Sequence, residues 1–160
     1  RNIGVTATQF TVLAGDPYIY DYPPQTVFVG SPTVISVGLG FNLAFNVGFC
    51  GGATTSSGTV VNNGTHTAYP VITFTGPLTN PSLFDSNGVS MNFSITLAGS
   101  DVLVVDCRNK NVVLNNQVSR RSSLAGLKWF AVPPKSTDSI YFAAQDGTGT
   151  ATVQLSNTYY

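Results

Sequence analysis

Glutamate is absent from this 160-residue chain, histidine occurs once, and charged side chains of every kind make up only 9% of it. A globular domain ordinarily carries about 25%. General acid–base catalysis needs a poised histidine or paired carboxylates, so that repertoire is nearly empty. His66 stands alone in the polar loop 62–67, expected to be solvated. A Cys50–His66 dyad would need two loops to meet together with an orienting third group. Asp101 and Asp106 bracket one expected strand, and their odd spacing sends them to opposite faces. Capping of nearby backbone amides is the expected job of both. Asp85-Ser86-Asn87-Gly88 begins like a calcium loop, but the spacing to glycine is wrong and no bidentate glutamate follows. It reads as an Asn-Gly turn. Gly147-Thr148-Gly149 is too short to cradle a phosphate, and no helix follows it. No catalytic residue, metal site or cofactor is expected, and the chain is not read as an enzyme.

Other absences exclude other classes. Net charge is zero, so no global field draws in nucleic acid or an anionic membrane surface. No apolar run approaches the roughly 20 residues of a membrane helix. The two cysteines, Cys50 and Cys107, carry no spacing signature; they form either one bridge or two small buried hydrophobes, and the second is expected. Asn63-Gly64-Thr65 and Asn92-Phe93-Ser94 match the glycosylation sequon, as expected by chance in a chain so rich in Asn, Ser and Thr. The chain opens on Arg1 rather than methionine and reads as a piece of a longer polypeptide.

What is present is 42% hydrophobic residues, enough for a core, set in a background of Thr, Val, Asn and Gly. That palette builds strands and tight turns. Val5 to Leu13 reads as strand-like sequence, and Gly15-Asp16-Pro17-Tyr18 as a turn signal. Pro23 and Pro24 forbid helix. Val27–Phe28 and Thr33–Val37 are short strand candidates, and Leu39 to Phe49 is apolar at every odd position, as in a half-buried strand or an extended linker. Residues 51–58 form a loop by composition. Strand candidates follow at 59–61, 71–75 and 82–84. Residues 90–97 are the clearest, with Met91, Phe93, Ile95 and Leu97 on one face. Residues 102–105 and 112–114 flank Arg108-Asn109-Lys110-Asn111 as a hairpin, 119–126 holds a short helical turn, and 129–132, 140–144 and 151–155 complete the series. Many short strands at this spacing mean an all-β antiparallel sandwich or barrel, preceded by an extended segment.

Two groups of side chains stand out as interface or ligand candidates. Tyr18, Tyr20 and Tyr22 share one face of an extended segment, which suits a contact surface. Arg120, Arg121 and Trp129 form the second, although a Trp beside Phe130 more often anchors a core. The basic residues Arg108, Lys110, Arg120, Arg121, Lys128 and Lys135 all fall in the second half, where they read as scattered solubilising side chains.

The ordered pieces also resemble a known family. Asp16-Pro17-Tyr18-Ile19-Tyr20 is similar to a DPRIY segment, and residues 70–81, PVITFTGPLTNP, to a PxIxIxGPxxNP block. Residues 100–106 resemble a GDxLxID strand, 112–116 a VxLNG turn, and 129–134 a WxxLxPG entry. Together they resemble siphophage distal tail proteins, also called phage minor tail proteins, over most of residues 10–158. Asn116 departs from the usual Gly, and residues 135–139 lack the usual Pro-Gly turn.

The resemblance implies a galectin-like β-sandwich (a jelly roll) over residues 58–160, an extended linker over 23–57, and the last strands of an upstream ring-forming β-domain within 1–22. It implies a hexameric ring in the parent protein, joining the tail tube to the hub and adhesion apparatus. Its partners would be tail-tube, hub, tape-measure or receptor-binding proteins, in a virion assembled in the bacterial host cytoplasm. The competing expectation is a carbohydrate-binding module that contacts the host surface, using Trp129 and Arg120 or Arg121. A third, a secreted adhesion domain, requires Cys50 and Cys107 to be oxidised.

Overall fold

The computed structural model describes residues 15–30, 33–34, 56–126 and 128–160. The strand-like stretch Val5 to Leu13, the alternating run Leu39 to Phe49, and Cys50 lie outside the described residues. The first half holds β1 (Ile19–Tyr20), β2 (Gln25–Gly30), β3 (Thr33–Val34), β4 (Ser56–Asn62), β5 (Val71–Thr75), β6 (Leu78–Thr79) and β7 (Ser82–Asp85). The remainder holds β8 (Ser90–Phe93), β9 (Thr96–Leu97), β10 (Val102–Asp106), β11 (Asn111–Leu114), β12 (Val118–Ser119), β13 (Leu124–Ala125), β14 (Ser136–Ala144), β15 (Asp146–Gly147), β16 (Thr150–Leu155) and β17 (Thr158–Tyr159). One 3-10 turn, Arg121–Ser123, lies inside the stretch expected to turn helically.

These strands build two six-stranded sheets that pack face to face. The first runs β12-β11-β10-β5-β16-β2 and is antiparallel throughout. The second runs β13-β8-β7-β14, with β4 and the short parallel β3 sharing the far edge of β14. Alternation decides what lies between them, since successive side chains of a strand point to opposite faces. Ile72 and Phe74, Leu103 and Val105, and Ala151, Val153 and Leu155 are buried from the first sheet; Leu83, Met91, Phe93, Ile140 and Phe142 are buried from the second. The Phe74 ring centroid is 5.5 Å from that of Phe93 and 5.7 Å from that of Phe142, so it bridges the two layers. The fold is a predominantly antiparallel β-sandwich with one apolar core between its two sheets.

Buried polar side chains are all satisfied among the described residues. Asp85 Oδ1 accepts the amides of Asn87 and Val89 at 2.9 and 2.7 Å, which makes Asp85–Gly88 a self-capped turn. Asp106 Oδ1 likewise accepts the amides of Arg108 and Asn109, both at 2.9 Å, at the tip of the β10–β11 hairpin. Asp101 Oδ2 accepts the Ala98 amide at 2.8 Å. The capping expected of Asp101 and Asp106 is therefore local and real. Cys107 is a free thiol, fully buried, and that burial pushes its pKa up to about 12.

Three expectations meet differences. Residues 90–97 are not one strand: the ladder breaks at Ser94, whose amide donates to Ser123 O at 2.7 Å, while Ile95 O accepts the Asn80 amide at 2.8 Å. β8 stays in the sandwich, whereas β9 joins β6 and β15 in a small side sheet. Residues 129–132 make only a bridge, in which Val132 and Ala68 exchange backbone hydrogen bonds of 2.8 and 2.9 Å. Within 23–57, expected as linker, Gln25–Gly30 is a sheet strand paired along β16, and Ser56–Gly58 opens β4.

Candidate functional site

The outer face of the first sheet carries a cross-strand row formed by Thr26, Gln154, Val71, Asp106 and Asn111. Arg108 follows Asp106 in the same phase and leaves the hairpin tip on this side. Across the end of the row runs a strap, residues 15–22, tied down at both ends. β1 pairs antiparallel with β17, matching Ile19 to Tyr159 and Tyr20 to Thr158. Past the strand, the Asp21 amide donates to Asn157 O at 3.2 Å, and Asp21 Oδ2 accepts Asn157 Nδ2 at 2.8 Å and Tyr159 Oη at 3.1 Å.

At the other end of the strap, Arg108 Nη2 meets Asp16 Oδ2 at 2.7 Å, and Tyr20 Oη donates to the same oxygen at 2.7 Å. The guanidinium lies 5.3 Å from the Tyr18 ring centroid and 5.2 Å from that of Tyr20, so one cation is flanked by two aromatic rings. Tyr18 also stacks on His66, with centroids 4.5 Å apart and planes 16° from parallel. Tyr160 closes the group, 6.0 Å from Tyr18 and 6.4 Å from His66. His66 is held from beneath by its own amide, which donates to Thr158 O at 2.9 Å. Gly64 makes that approach feasible, because a Cβ there would sit 2.0 Å from Thr158 O. The result is a cavity of about 250 Å3 whose walls include Tyr18, Tyr20, His66, Tyr69, Arg108 and Gln154.

Partial desolvation pushes the Asp16 carboxyl up, but the Arg108 hydrogen bond, the Tyr18 amide and the guanidinium charge together hold it below the usual carboxylate range. A carboxylate with a depressed folded pKa stabilises the fold above its unfolded value, and that contribution is lost as pH falls through the folded value. The unfolded value is about 3.9. Acidification below it is expected to loosen the strap first: the Tyr18 and Tyr20 ring resonances should shift in an NMR titration while Phe74 and Phe142 stay fixed. Simultaneous movement of both sets would contradict a separately held strap.

The other candidate group is distinct. The Arg121 guanidinium lies 5.2 Å over the Trp129 ring, and Nη1 donates to Lys110 O. Trp129 is half-buried and packs against the core, in keeping with an anchor. Arg120 instead borders a shallow depression of about 330 Å3 with Ser94, Ile95, Thr96 and Leu114. Tyr18 and Tyr20 are therefore brought together around Arg108, and Arg121 with Trp129. Tyr22 stands apart, 92% exposed. The two groups flank the same hairpin turn, touching Arg108 on one side and Lys110 on the other. Arg108 and Asp16 were not among the expected site residues, and His66, expected to be solvated, is half-buried in a stack. Hairpin phase alone aligns Arg108 with Asp106, but only the strap's crossing makes it a site.

A family model described as siphovirus-type tail component, C-terminal domain, matches residues 63–159. The chain belongs to this family. The matched span of the siphovirus-type tail component includes His66, Tyr69, Arg108 and Gln154 but not the strap residues Asp16, Tyr18 and Tyr20, so the cavity is built across the start of the family's domain. Among solved structures, the SPP1 Dit (gp 19.1) protein is similar, with a TM-score of 0.59 at 16% identity. That crystal structure is described as a paradigm of the hub adsorption apparatus in phages that infect Gram-positive bacteria. The match covers 91% of this chain and 50% of that one, so the chain spans half the length of SPP1 Dit. At this identity the likeness carries the fold, a galectin-like β-sandwich. No curated protein matches.

Proposed function

We infer that this siphovirus-type tail component works at the tail tip as a distal tail protein, linking tail tube to hub or adhesion apparatus through protein–protein contacts and not through catalysis. The observation that carries this reading is the family match over residues 63–159. The likeness to SPP1 Dit over 91% of the chain supports the same placement. In this reading the strap residues 15–22 bring the chain in from an upstream β-domain that closes a hexameric ring, and the sandwich, to which β2 and β3 contribute along with residues 58–160, faces neighbours. Exposed Ile19, Tyr22 and Phe28, at 68%, 92% and 64% accessibility, supply apolar surface of the kind found in interface cores. The partners are other tail proteins, in the virion. Light scattering on the full-length parent protein is the test: a mass of six protomers is expected, and a monomer persisting at high concentration would overturn the ring.

A further inference from the structure

We propose that the edge formed by the β10–β11 hairpin tip, β12 and the 3-10 turn is a docking surface for an extended acidic segment of another tail protein. This rests on the tail-tip reading only for the source of the partner, and it names the chemistry that recognises it.

All seven acidic side chains of the chain are aspartates, and each accepts a hydrogen bond from within the chain. The cations are not matched in the same way. Among the described lysines and arginines, Arg108 alone meets a carboxylate, that of Asp16 at 2.7 Å. Lys110, Arg120, Arg121 and Lys128, expected to be scattered, are gathered by the fold. The Arg120 amide donates to Val112 O at 2.8 Å, which ties it beside β11. Arg121 lies over Trp129 and donates to Lys110 O, while Lys128 precedes Trp129 in the chain. The carboxylate of this hairpin is already committed, since Asp106 Oδ1 takes two amides and Oδ2 accepts Asn109 Nδ2 at 2.7 Å. The edge therefore has cations without a counter-charge among the described residues.

One point on this edge is shaped for a carboxylate. Where the ladder breaks at Ser94, a depression of about 330 Å3 opens between Ser94–Thr96 and the 3-10 turn. Its walls are fixed, because the Ser94 amide donates to Ser123 O and Ser123 Oγ donates to Arg120 O, both at 2.7 Å. Arg120, Ser94, Thr96 and Ser122 line it, and neither the guanidinium nor these three hydroxyls has a partner among the described residues. A free guanidinium among hydroxyl donors suits a carboxylate, and Ile95 and Leu114 offer its methylene stem an apolar rest. β12 is the outermost strand of its sheet, with Val118 44% exposed, so an extended segment meets an open edge as well as charge. A second copy of this chain is a poor occupant, because its own aspartates are all engaged. Zero net charge disfavours nucleic acid.

The test has two arms. The first is an NMR titration of the chain at about 0.15 M salt, where attraction between exposed charges is screened beyond roughly 8 Å. The probes are an acidic peptide of alternating Glu and Thr and its neutral Gln–Thr match. The Thr96, Arg120 and Ser122 amides should shift with the acidic peptide alone. Arg120→Gln, at an exposed position, should weaken binding roughly tenfold, whereas Lys135→Gln should leave it unchanged. Equal shifts from both peptides, no shift from either, or full affinity in Arg120→Gln would overturn the site. Tighter binding of a DNA duplex than of the acidic peptide would overturn the partner class. The second arm applies a carbodiimide, which condenses a lysine ammonium with a touching carboxylate, to purified tails. Lys110 or Lys128 joined to an acidic residue of a different tail protein is expected; coupling at neither, or only between copies of this chain, contradicts the docking. Tails that lack the chain altogether would instead refute the tail-tip placement, and the titration would still decide the site.

Discussion

Phe74→Ala is expected to destabilise the chain by about 3–5 kcal/mol, the usual cost of emptying a phenylalanine site in a core. The reason is its position. β5 lies between β10 and β16 in the first sheet, and the fully buried Phe74 ring reaches both Phe93 and Phe142 of the opposite sheet. No small shift of one layer can refill that space without breaking a ladder on either side. Domains of this kind hold only about 5–15 kcal/mol in total, so much of the stability would go. Phe28→Ala is the control, because Phe28 is 64% exposed and surface changes stay within about 0.5 kcal/mol. Urea unfolding followed by circular dichroism separates the two. Equal midpoints for both variants would contradict the packing described.

Asn62→Ala is expected to cost about 2–4 kcal/mol, nearly as much as the loss of a core ring, although no apolar contact is removed. Asn62 is fully buried beside the cavity. Its Oδ1 accepts the Gly64 amide at 3.0 Å, and its Nδ2 donates to the carbonyls of His66, Val132 and Pro133 at 2.8, 3.0 and 3.1 Å. After truncation, Val132 O keeps the Ala68 amide and Pro133 O keeps the Ser136 hydroxyl. The Gly64 amide and the His66 carbonyl are left without these partners in a region largely closed to water, each at about 1–3 kcal/mol. The same loop carries the His66 ring, so the Tyr18 stack should loosen as well. Urea unfolding measures the stability change, and loss of the ring-current shift on Tyr18 measures the local one. An unchanged unfolding midpoint would show that the loop does not depend on Asn62.

The fold was legible in the sequence because its signals are local. Alternation in 151–155 reports which side chains turn inward, and Ala151, Val153 and Leu155 are buried. Asp85, Asp101 and Asp106 cap amides within a few residues of themselves, which spacing alone can foresee. Alternation is silent about neighbours, however. In 90–97 it places Met91, Phe93 and Leu97 inside correctly, yet it cannot say that β8 and β9 join different sheets. The candidate site was legible only in part for the same reason. Tyr18 and Tyr20 share a face by period, but their partner Arg108 is nearly ninety positions away, and its place beneath the strap depends on β1 finding β17. A lone histidine in a polar loop carries no mark that a tyrosine will stack on it. Arg120 and Tyr22 look equivalent to Arg121 and Tyr20 in sequence, and only the third dimension separates them.

Cryo-electron microscopy of intact phage tails tests the central claim most directly. Density for this sandwich is expected at the distal end of the tail, in six copies around the axis, with residues 15–22 lying across the outer sheet face and leading toward the ring. A tail tip into which the sandwich cannot be placed would contradict the account.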